Sequence, residues 1–513
     1  MTANQKLNAY FGDLHNHLNI GYGHGTIDDA IRNAQLQLDF VCLTPHAVWP
    51  DIPGRSKQLA EVVDYHVQGF EKTTQGWELV KQKLSAANQP GQFVTFLGFE
   101  WHSLEYGDHN IVFDGDQGEI VREPGLIEMR HELRALSNKG IESILIPHHI
   151  GYKQGYRGIN WDTFTPEYSP VVEIMSMHGC SESEEAPYAY LHTMGPRDVC
   201  SLYQYGLALG HVVGVIGSTD HHSAHPGSYG HGRVCVWAPE LTRAGIFKAI
   251  QSRRTVALTG DNIALVFTLN GESIGSVLQP VKQHIVQASV TGGDAIDYVE
   301  LLKNNRVVQR WNLNTSPERW QWDPKHENVK MNFEVGWGKR SENVDWDVDI
   351  EIQDGNLVAV EPHFRGHENV APTDAEETAY HFSEWQQLSA NHVSFSTRTW
   401  GNMTTTTSST QGICLELHGT PETTVKVKVN GKSDTVKLSE LLSGSKAGYL
   451  GGFLTPAYYF HRAIPEKVYT WNLDWQDNSA REVNAADRDW YYVRVRQHNN
   501  QYAWSSPIWV ERE

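Results

Sequence analysis

The chain has 513 residues, of which 40% are hydrophobic, 11% aromatic and 20% charged, and its 42 Lys and Arg against 61 Asp and Glu give a formal charge of −19. Such apolar content excludes a disordered chain, and the acidic balance excludes the usual basic nucleic-acid binder, whose affinity rests on Lys and Arg contacts to phosphates. The length exceeds what one core normally serves, so two or three domains are expected.

Five cysteines, Cys42, Cys180, Cys200, Cys235 and Cys414, form no CxxC pair and are odd in number. They predict free thiols in a reducing compartment, the cytoplasm. The opening MTANQKLNAYFGD lacks the charged-then-apolar pattern of a leader. No stretch approaches the ~20 apolar residues that span a bilayer. A soluble chain with no membrane partner follows.

From residue 8 to 258 short apolar runs alternate with helical-period stretches, the pattern of βα units and a parallel sheet. The stretch Thr26 to Leu38 puts Ile27, Ala30, Ile31, Ala34 and Leu38 on one face, with Thr26 as N-cap and Asp28 and Asp29 in the first turn. Strands are expected at 39–44, 92–100, 110–113, 142–149, 171–178 and 211–222. Helices are expected at 56–87, 125–139, 198–209 and 242–252. The alternation repeats six or seven times.

After Thr259-Gly260 the texture changes to hairpins, with turns at Asn270-Gly271, Asn430-Gly431 and Asn499-Asn500. Residues 259–513 are therefore expected to form an antiparallel, sandwich-like β domain behind an α/β domain at 8–258. The polar, Trp-rich stretch 314–411 reads as long loops and strands. Thr404 to Thr410 is a short low-complexity run.

Histidine carries the chemical signal: of 26, 17 lie at or before His231. Each predicted parallel strand ends in a metal-competent residue, and the C-terminal face of an α/β barrel is where sites are built. These residues are His15 and His17 in GDLHNH, His46 in LTPHA, Glu100 in GFEW, His109 in GDHN, His148 and His149 in IPHHIG, His178 in MSMHG, and Asp220, His221 and His222 in STDHH. Residues two apart on an extended segment share a face, so His15 pairs with His17 and Asp220 with His222. One histidine at a strand end is ordinarily a hydrogen-bonded residue. Six strand ends so equipped predict a metal cluster of more than one ion, and imidazole with carboxylate and no CxxC suits Zn, Mn or Fe.

GDLHNH, LTPHA, GFEW, GDHN, IPHHIG and GSTDHH, in this order, resemble the motifs of the PHP (polymerase and histidinol phosphatase) superfamily. GSTDHHSAHPGSYGHGR, LTRAGIFKAIQSRRTVALTGD and YYVRVRQHNNQYAWSSPIWV further resemble its uncharacterised DUF3604 branch. The resemblance implies a distorted (βα)7-type barrel with two or three divalent metal ions at its C-terminal face. It implies one ion held by His15, His17, Glu100 and Asp220, a second by Glu100, His109 and His148, and a third by His24, His46 and His222. The family commonly has Thr-Asp-His where this chain has Thr44-Pro45-His46, which bears on the third ion. His149 and His221 are extra to the pattern and read as surface or supporting residues. His66, His102, His131, His192 and His211 read as ordinary.

Glu100, Asp220 and His222 are the candidate catalytic residues of a hydrolase using a metal-bridging hydroxide. Lys153, Arg157, His178 and Arg233 are candidate contacts to substrate. The family implies a phosphoesterase, and the charge of −19 favours a small phosphomonoester or phosphodiester over nucleic acid. A carboxylic ester, lactone, amide or sulfate ester could be cleaved by the same site. A third reading, a carbohydrate or protein binding module, rests on 12 of 17 tryptophans lying at or after Trp311. Aromatic residues in sandwiches are more often core. The sequence is silent on oligomeric state.

Overall fold

The first predicted helix is buried along its expected face: Ile27, Ala30, Ile31, Ala34 and Leu38 all lie inside. In this computed structural model, which describes residues 6–340, 342–367, 380–401, 408–478 and 487–512, that helix is α1 (Ile27–Gln37). Thr26 caps it, accepting the Asp29 amide at 3.1 Å, while Asp29 accepts the Thr26 amide at 2.9 Å. The two bonds close a capping box.

β1 (Asn8–Asp13), β2 (Phe40–Leu43), β3 (His46–Val48) and β4 (Val94–Trp101) are joined by parallel pairings, with α1 after β1 and α2 (Ala60–Ala87) after β3. The predicted alternation then breaks. β5 (His109–Phe113) runs antiparallel to β4, because the connection 102–108 is too short for a crossover helix. β6 (Ser143–Pro147), reached through α3 (Leu126–Ser137), is antiparallel to β5. β7 (Val171–Ser176), β8 (Gly179–Cys180) and β9 (Gly214–Gly217) form a separate small sheet. The helix expected over 198–209 is a 3-10 turn, Val199–Ser201, followed by α4 (Tyr203–Ala208), since Leu202 between them is extended. β10 (Arg233–Ala238), α5 (Arg243–Gln251) and β11 (Thr255–Leu258) complete this half.

Phe40, Phe96, Val112, Ile146, Val171, Ile216 and Val234 come from seven different strands and share one interior cluster. The strands therefore surround a common core. The expected barrel is nonetheless not closed by hydrogen bonds among the described residues: one sheet runs β11-β10-β1-β2-β4-β5-β6, and β7 and β9 stand apart from it. Pro147 and Pro170 flank the seam between β6 and β7 and have no amide to donate across it.

The single β-sandwich expected after residue 258 is two sandwiches. Ala264–Leu269, His284–Thr291 and Thr470–Asp477, with the short Glu272–Ser273, form a four-stranded sheet. It packs Leu265, Phe267, Val286 and Val290 against Val299, Leu301, Val493 and Val495. Between its strands the chain builds the second sandwich, six strands facing five, around Phe333, Trp346, Val348, Phe395, Leu415 and Val427. Much of the stretch 314–411 lies here. Asn343–Gln353 shows why it reads poorly: Trp346, Val348, Ile350 and Ile352 point inward, alternating with Asp345, Asp347, Asp349 and Glu351, so its average polarity hides the period of two. Thr404–Thr407 of the Thr/Ser run lie outside the described residues.

The hairpin signals hold. Leu269 pairs with Glu272 and Val429 with Lys432, and the left-handed φ of Asn270 (52°), Gly271 (82°), Asn430 (46°) and Gly431 (84°) supply the two-residue turns. Among the described residues, Trp337, 39% exposed, is the one tryptophan at or after Trp311 among the large exposed hydrophobic residues, while Trp311, Trp471 and Trp475 lie together, half-buried against the core of the first sandwich.

The first sheet does not stop at residue 258. β11 pairs antiparallel with Tyr502–Ser505, which carries the sheet into the first sandwich. The second sandwich leans on the first half: Trp385 Nε1 donates to the Leu36 carbonyl at 2.9 Å, and the Asn33 amide donates to the Tyr380 carbonyl at 2.7 Å. Among the described residues no helix is long and apolar enough to cross a membrane.

Candidate metal centre

Two extended segments set the geometry. After β1 the chain runs through His15 to His17, and after β9 through Asp220 to His222. The Asp220 amide donates to the His15 carbonyl at 2.8 Å, and the His17 amide to the His221 carbonyl at 2.8 Å. This bridge brings His15, His17, Asp220 and His222 to one side. Asp13 ties the segments from below, accepting the amides of His15 (3.1 Å), Thr219 (3.1 Å) and Gly227 (2.9 Å) and the Thr219 hydroxyl. Asp220 adopts a left-handed φ of 56° and His149 one of 32°, backbone strain of the kind stored at functional sites.

Glu100 stands at the centre, 2% exposed. Its Oε2 lies 3.3 Å from His17 Nε2, 3.3 Å from His46 Nε2 and 3.7 Å from His15 Nε2. Its Oε1 lies 3.0 Å from His148 Nε2 and 3.1 Å from His102 Nδ1. Each oxygen thus faces its own set of imidazoles. Groups whose donor atoms lie close enough to share an ion are His17, His46 and His222; His15, His17 and Asp220; His46, Glu100 and His102; Glu100, Asp108, His148 and His149; and His149, His178 and Asp220. His17, His46, Glu100, His149 and Asp220 each belong to two of these groups.

Burial holds most of these imidazoles neutral, the form that ligates metals. It pulls His17 down, His46 and His148 well down, His149 to about 4 and His222 to about 3. His15 differs: burial lowers it, but Asp220 and Glu173 overcome that and leave it well above the ordinary imidazole value. Burial would raise the carboxylates too. Imidazoles around Glu100, Arg157 and His102 at Asp108, and His15 and His178 at Asp220 outweigh it and keep all three ionised.

The donor set fits divalent ions. Glu100 Oε2 has no hydrogen-bond partner although buried and ringed by imidazole nitrogens, and His17, His46, His148 and His149 each keep a buried Nδ1 without a partner. An ionised carboxylate oxygen left so would be costly without a cation.

No protein-family model matches the chain. It is 24% identical over 269 residues to an uncharacterized protein of Chlamydia pneumoniae and 25% identical over 271 residues to one of Chlamydia trachomatis. Each match takes in 48% of this chain but only 42% of the relative, so the chain spans less than half the length of these curated relatives. Among solved structures, a two-domain protein of Bacteroides vulgatus containing a predicted PHP-like metal-dependent phosphoesterase aligns over 58% of this chain and 79% of its own, at 14% identity and a TM-score of 0.32.

Of the residues expected to hold metal, His15, His17, His46, Glu100, His148, Asp220 and His222 come together. His109 does not join them. It pairs in register with Trp101, whereas Asn110 pairs with Glu100, so alternation turns His109 to the other face of the sheet. There its Nδ1 bonds the Gly107 carbonyl at 2.8 Å and its ring meets Trp101 edge-on at 5.9 Å. His24 stands at the margin, its amide on the His222 carbonyl at 2.8 Å and its ring stacked with Tyr380 at 6.0 Å.

Among the expected substrate contacts, His178 reaches the cluster, 2.9 Å from Asp220 Oδ2, with Tyr152 Oη 2.6 Å from its Nδ1. Arg157 is also inside but committed: its Nε donates to Asp108 at 2.6 Å, a second nitrogen contacts the same oxygen, and its guanidinium lies over Trp49 at 5.1 Å. Lys153 is exposed beside Tyr156, 5.8 Å from that ring. Arg233 is fully buried and donates to the Gly227 carbonyl and to Gln37 Oε1, so it braces the fold instead of meeting substrate.

Sequence reasoning missed several members. His102, read as ordinary, lies in the cluster because the tight β4 to β5 connection folds it back beneath Asp108, 3.1 Å away. His149 is buried among the donors, not at the surface. Glu173 Oε2 supports His15 Nδ1 at 2.8 Å from a fully buried position on β7. An acid within the apolar run VVEIM was the available signal for it. His192 lies exposed beside His178, ring centres 4.8 Å apart, and His66 packs behind His102 at 5.9 Å. His131 is exposed and His211 stacks on Trp161.

Proposed function

We propose that the protein is a metal-dependent hydrolase of the PHP superfamily, DUF3604-like, and that it is a phosphoesterase acting on a small phosphomonoester or phosphodiester. The observation that carries this reading is Glu100, whose two buried oxygens face separate imidazole sets, with Oε2 lacking any hydrogen bond. Two or three divalent ions, Zn, Mn or Fe, held by these sets would supply an activated water and an electrophilic clamp for substrate oxygens.

The chain's own residues do the rest. Glu100 and Asp220 stay ionised and fix the spacing of the imidazoles. Glu173 orients His15, and Asp13 holds the His15–His17 and Asp220–His222 segments in register. Arg157 balances Asp108, so four buried carboxylates, Glu100, Asp108, Glu173 and Asp220, carry less net charge than two or three divalent ions bring. That surplus favours an anionic substrate. His178, relayed to Tyr152 and set next to the exposed His192, is the candidate proton donor to the leaving alkoxide. Lys153 is the candidate rim cation for the substrate.

The test is elemental analysis of purified protein together with hydrolysis of an aryl phosphomonoester, an aryl phosphodiester and an aryl carboxylic ester by wild type and Asp220→Asn. At least two ions per chain and phosphoester cleavage lost in the variant are expected. Cleavage of the carboxylic ester alone would replace the phosphoesterase reading, and a chain that takes up no metal on reconstitution would remove it.

A further inference from the structure

β5 runs between β4 and β6, and Asn110 is its residue at the level of Glu100: it pairs in register with Glu100 on one side and with Ile146 on the other. Residues directly opposite each other in an antiparallel pair point to the same face, with Cβ atoms ~5 Å apart. Residues two apart along a strand share that face as well. The flanking positions show which face it is. His102, two after Glu100, and Asp108, two before Asn110, meet at 3.1 Å in the cluster, and His148, two after Ile146, reaches Glu100 Oε1 at 3.0 Å. That last contact joins β4 to the end of β6 across the face of β5, and Asn110 stands on that face beside Glu100.

The side chain of Asn110 is unused. The residue is 1% exposed, and neither Oδ1 nor Nδ2 has a hydrogen-bond partner. A buried amide in that state has given up its hydration for nothing in return, a loss that Val112, two residues on and equally buried, does not suffer. Unlike an imidazole nitrogen, an amide oxygen never carries a proton and keeps its lone pairs in every orientation. The other polar groups nearby are occupied: Asp108 accepts from Arg157 Nε at 2.6 Å and meets His102 Nδ1, which also faces Glu100 Oε1.

We propose, resting on the metal-dependent reading above, that Asn110 fills the position expected of His109, with its Oδ1 a ligand of the ion held by Glu100 and His148. The antiparallel register that turns His109 away turns Asn110 in. A neutral amide oxygen adds a donor without adding charge, so the positive surplus that favours an anionic substrate is kept. A carbonyl oxygen beside a carboxylate is also the kind of donor that Mn2+ accepts.

The experiment compares wild type, Asn110→Leu, Asn110→Asp and His109→Phe as full chains, stripped with chelator, titrated with Mn2+ against a chelating dye and counted by elemental analysis, with thermal unfolding of the metal-free chains alongside. Asn110→Leu is expected to keep or raise the metal-free Tm, because an unpartnered amide gives way to an apolar group, and to bind its weakest ion at least about tenfold less tightly. Asn110→Asp, which retains an oxygen donor, is expected to hold the full ion count, and His109→Phe, altered on the other face, to bind as wild type does. Asn110→Ala gives the same comparison if leucine is not accommodated. Wild type binding two or more ions, with Asn110→Leu or Asn110→Ala binding them as tightly, is the result for a buried amide satisfied by water alone; it would overturn this assignment and leave the hydrolase reading standing. Loss of an ion from His109→Phe and not from Asn110→Leu would return the position to His109. A wild type that takes up no ion would remove both readings.

Discussion

Glu173 stands directly behind His15, its Oε2 2.8 Å from Nδ1, and so turns Nε2 of that ring towards Asp220 at 3.2 Å. A carboxylate in this position fixes the tautomer and raises the basicity of a metal-binding imidazole. Glu173→Gln keeps the volume and the hydrogen bond while removing the charge. Metal affinity is expected to fall by about 10- to 100-fold with the thermal unfolding of the metal-free chain little changed, as measured by competition with a chelating dye.

Glu100→Gln removes the charge that both imidazole sets face. The variant is expected to retain fewer ions per chain by elemental analysis and to lose at least about 100-fold in kcat/KM for the aryl phosphoester. Full activity in this variant would contradict its central placement.

Arg157→Met leaves Asp108 buried with its principal cation gone. Removing one partner of a buried pair costs about 3–5 kcal/mol, and urea unfolding of the metal-free chain is expected to show a loss of that order. Much of it should return in Arg157→Met/Asp108→Asn, where no uncompensated charge remains.

His109 predicts a pH dependence that does not involve the cluster. Burial holds its folded pKa at about 4, below the ~6.5 of an unfolded histidine. Between those values the unfolded chain binds the proton and the folded chain does not, so stability falls as pH drops from 6.5 to 4. The shift corresponds to about 3 kcal/mol. His109→Phe is expected to make this slope shallower in urea titrations at pH 7, 5.5 and 4.5, the other buried imidazoles such as His149 keeping their share; an unchanged slope would assign the dependence wholly to them.

Residues whose chemistry is local were legible in the sequence, and residues placed by pairing were not. HxH and DxH at strand ends announce themselves because the period of two is intrinsic to an extended chain. The exclusion of His109 was hidden because it follows from the antiparallel register of β5 on β4, which puts Asn110 opposite Glu100. His102 and Asp108 enter the site through the fold of one short connection, and nothing in their spacing marks it. At the level of architecture, Asn270-Gly271 and Asn430-Gly431 gave their turns correctly. The second sandwich escaped notice because Asp and Glu alternate with its inward-facing Val and Ile, and because its strands interrupt those of the first.

The pairing of β11 with Tyr502–Ser505 constrains how the molecule can be made. During synthesis the half that carries the histidine cluster emerges with Thr255–Leu258 as a bare strand edge, and the strand that covers it is made only after the whole second sandwich. Ser506 reinforces the delay, since its Oγ accepts the Val215 amide at 3.0 Å and meets Thr255 Oγ1 at 2.8 Å. Such distant contacts form slowly, and an open edge invites pairing with other chains. A chain ending near residue 260 would leave that edge, and the Val215 amide that Ser506 accepts, without these partners.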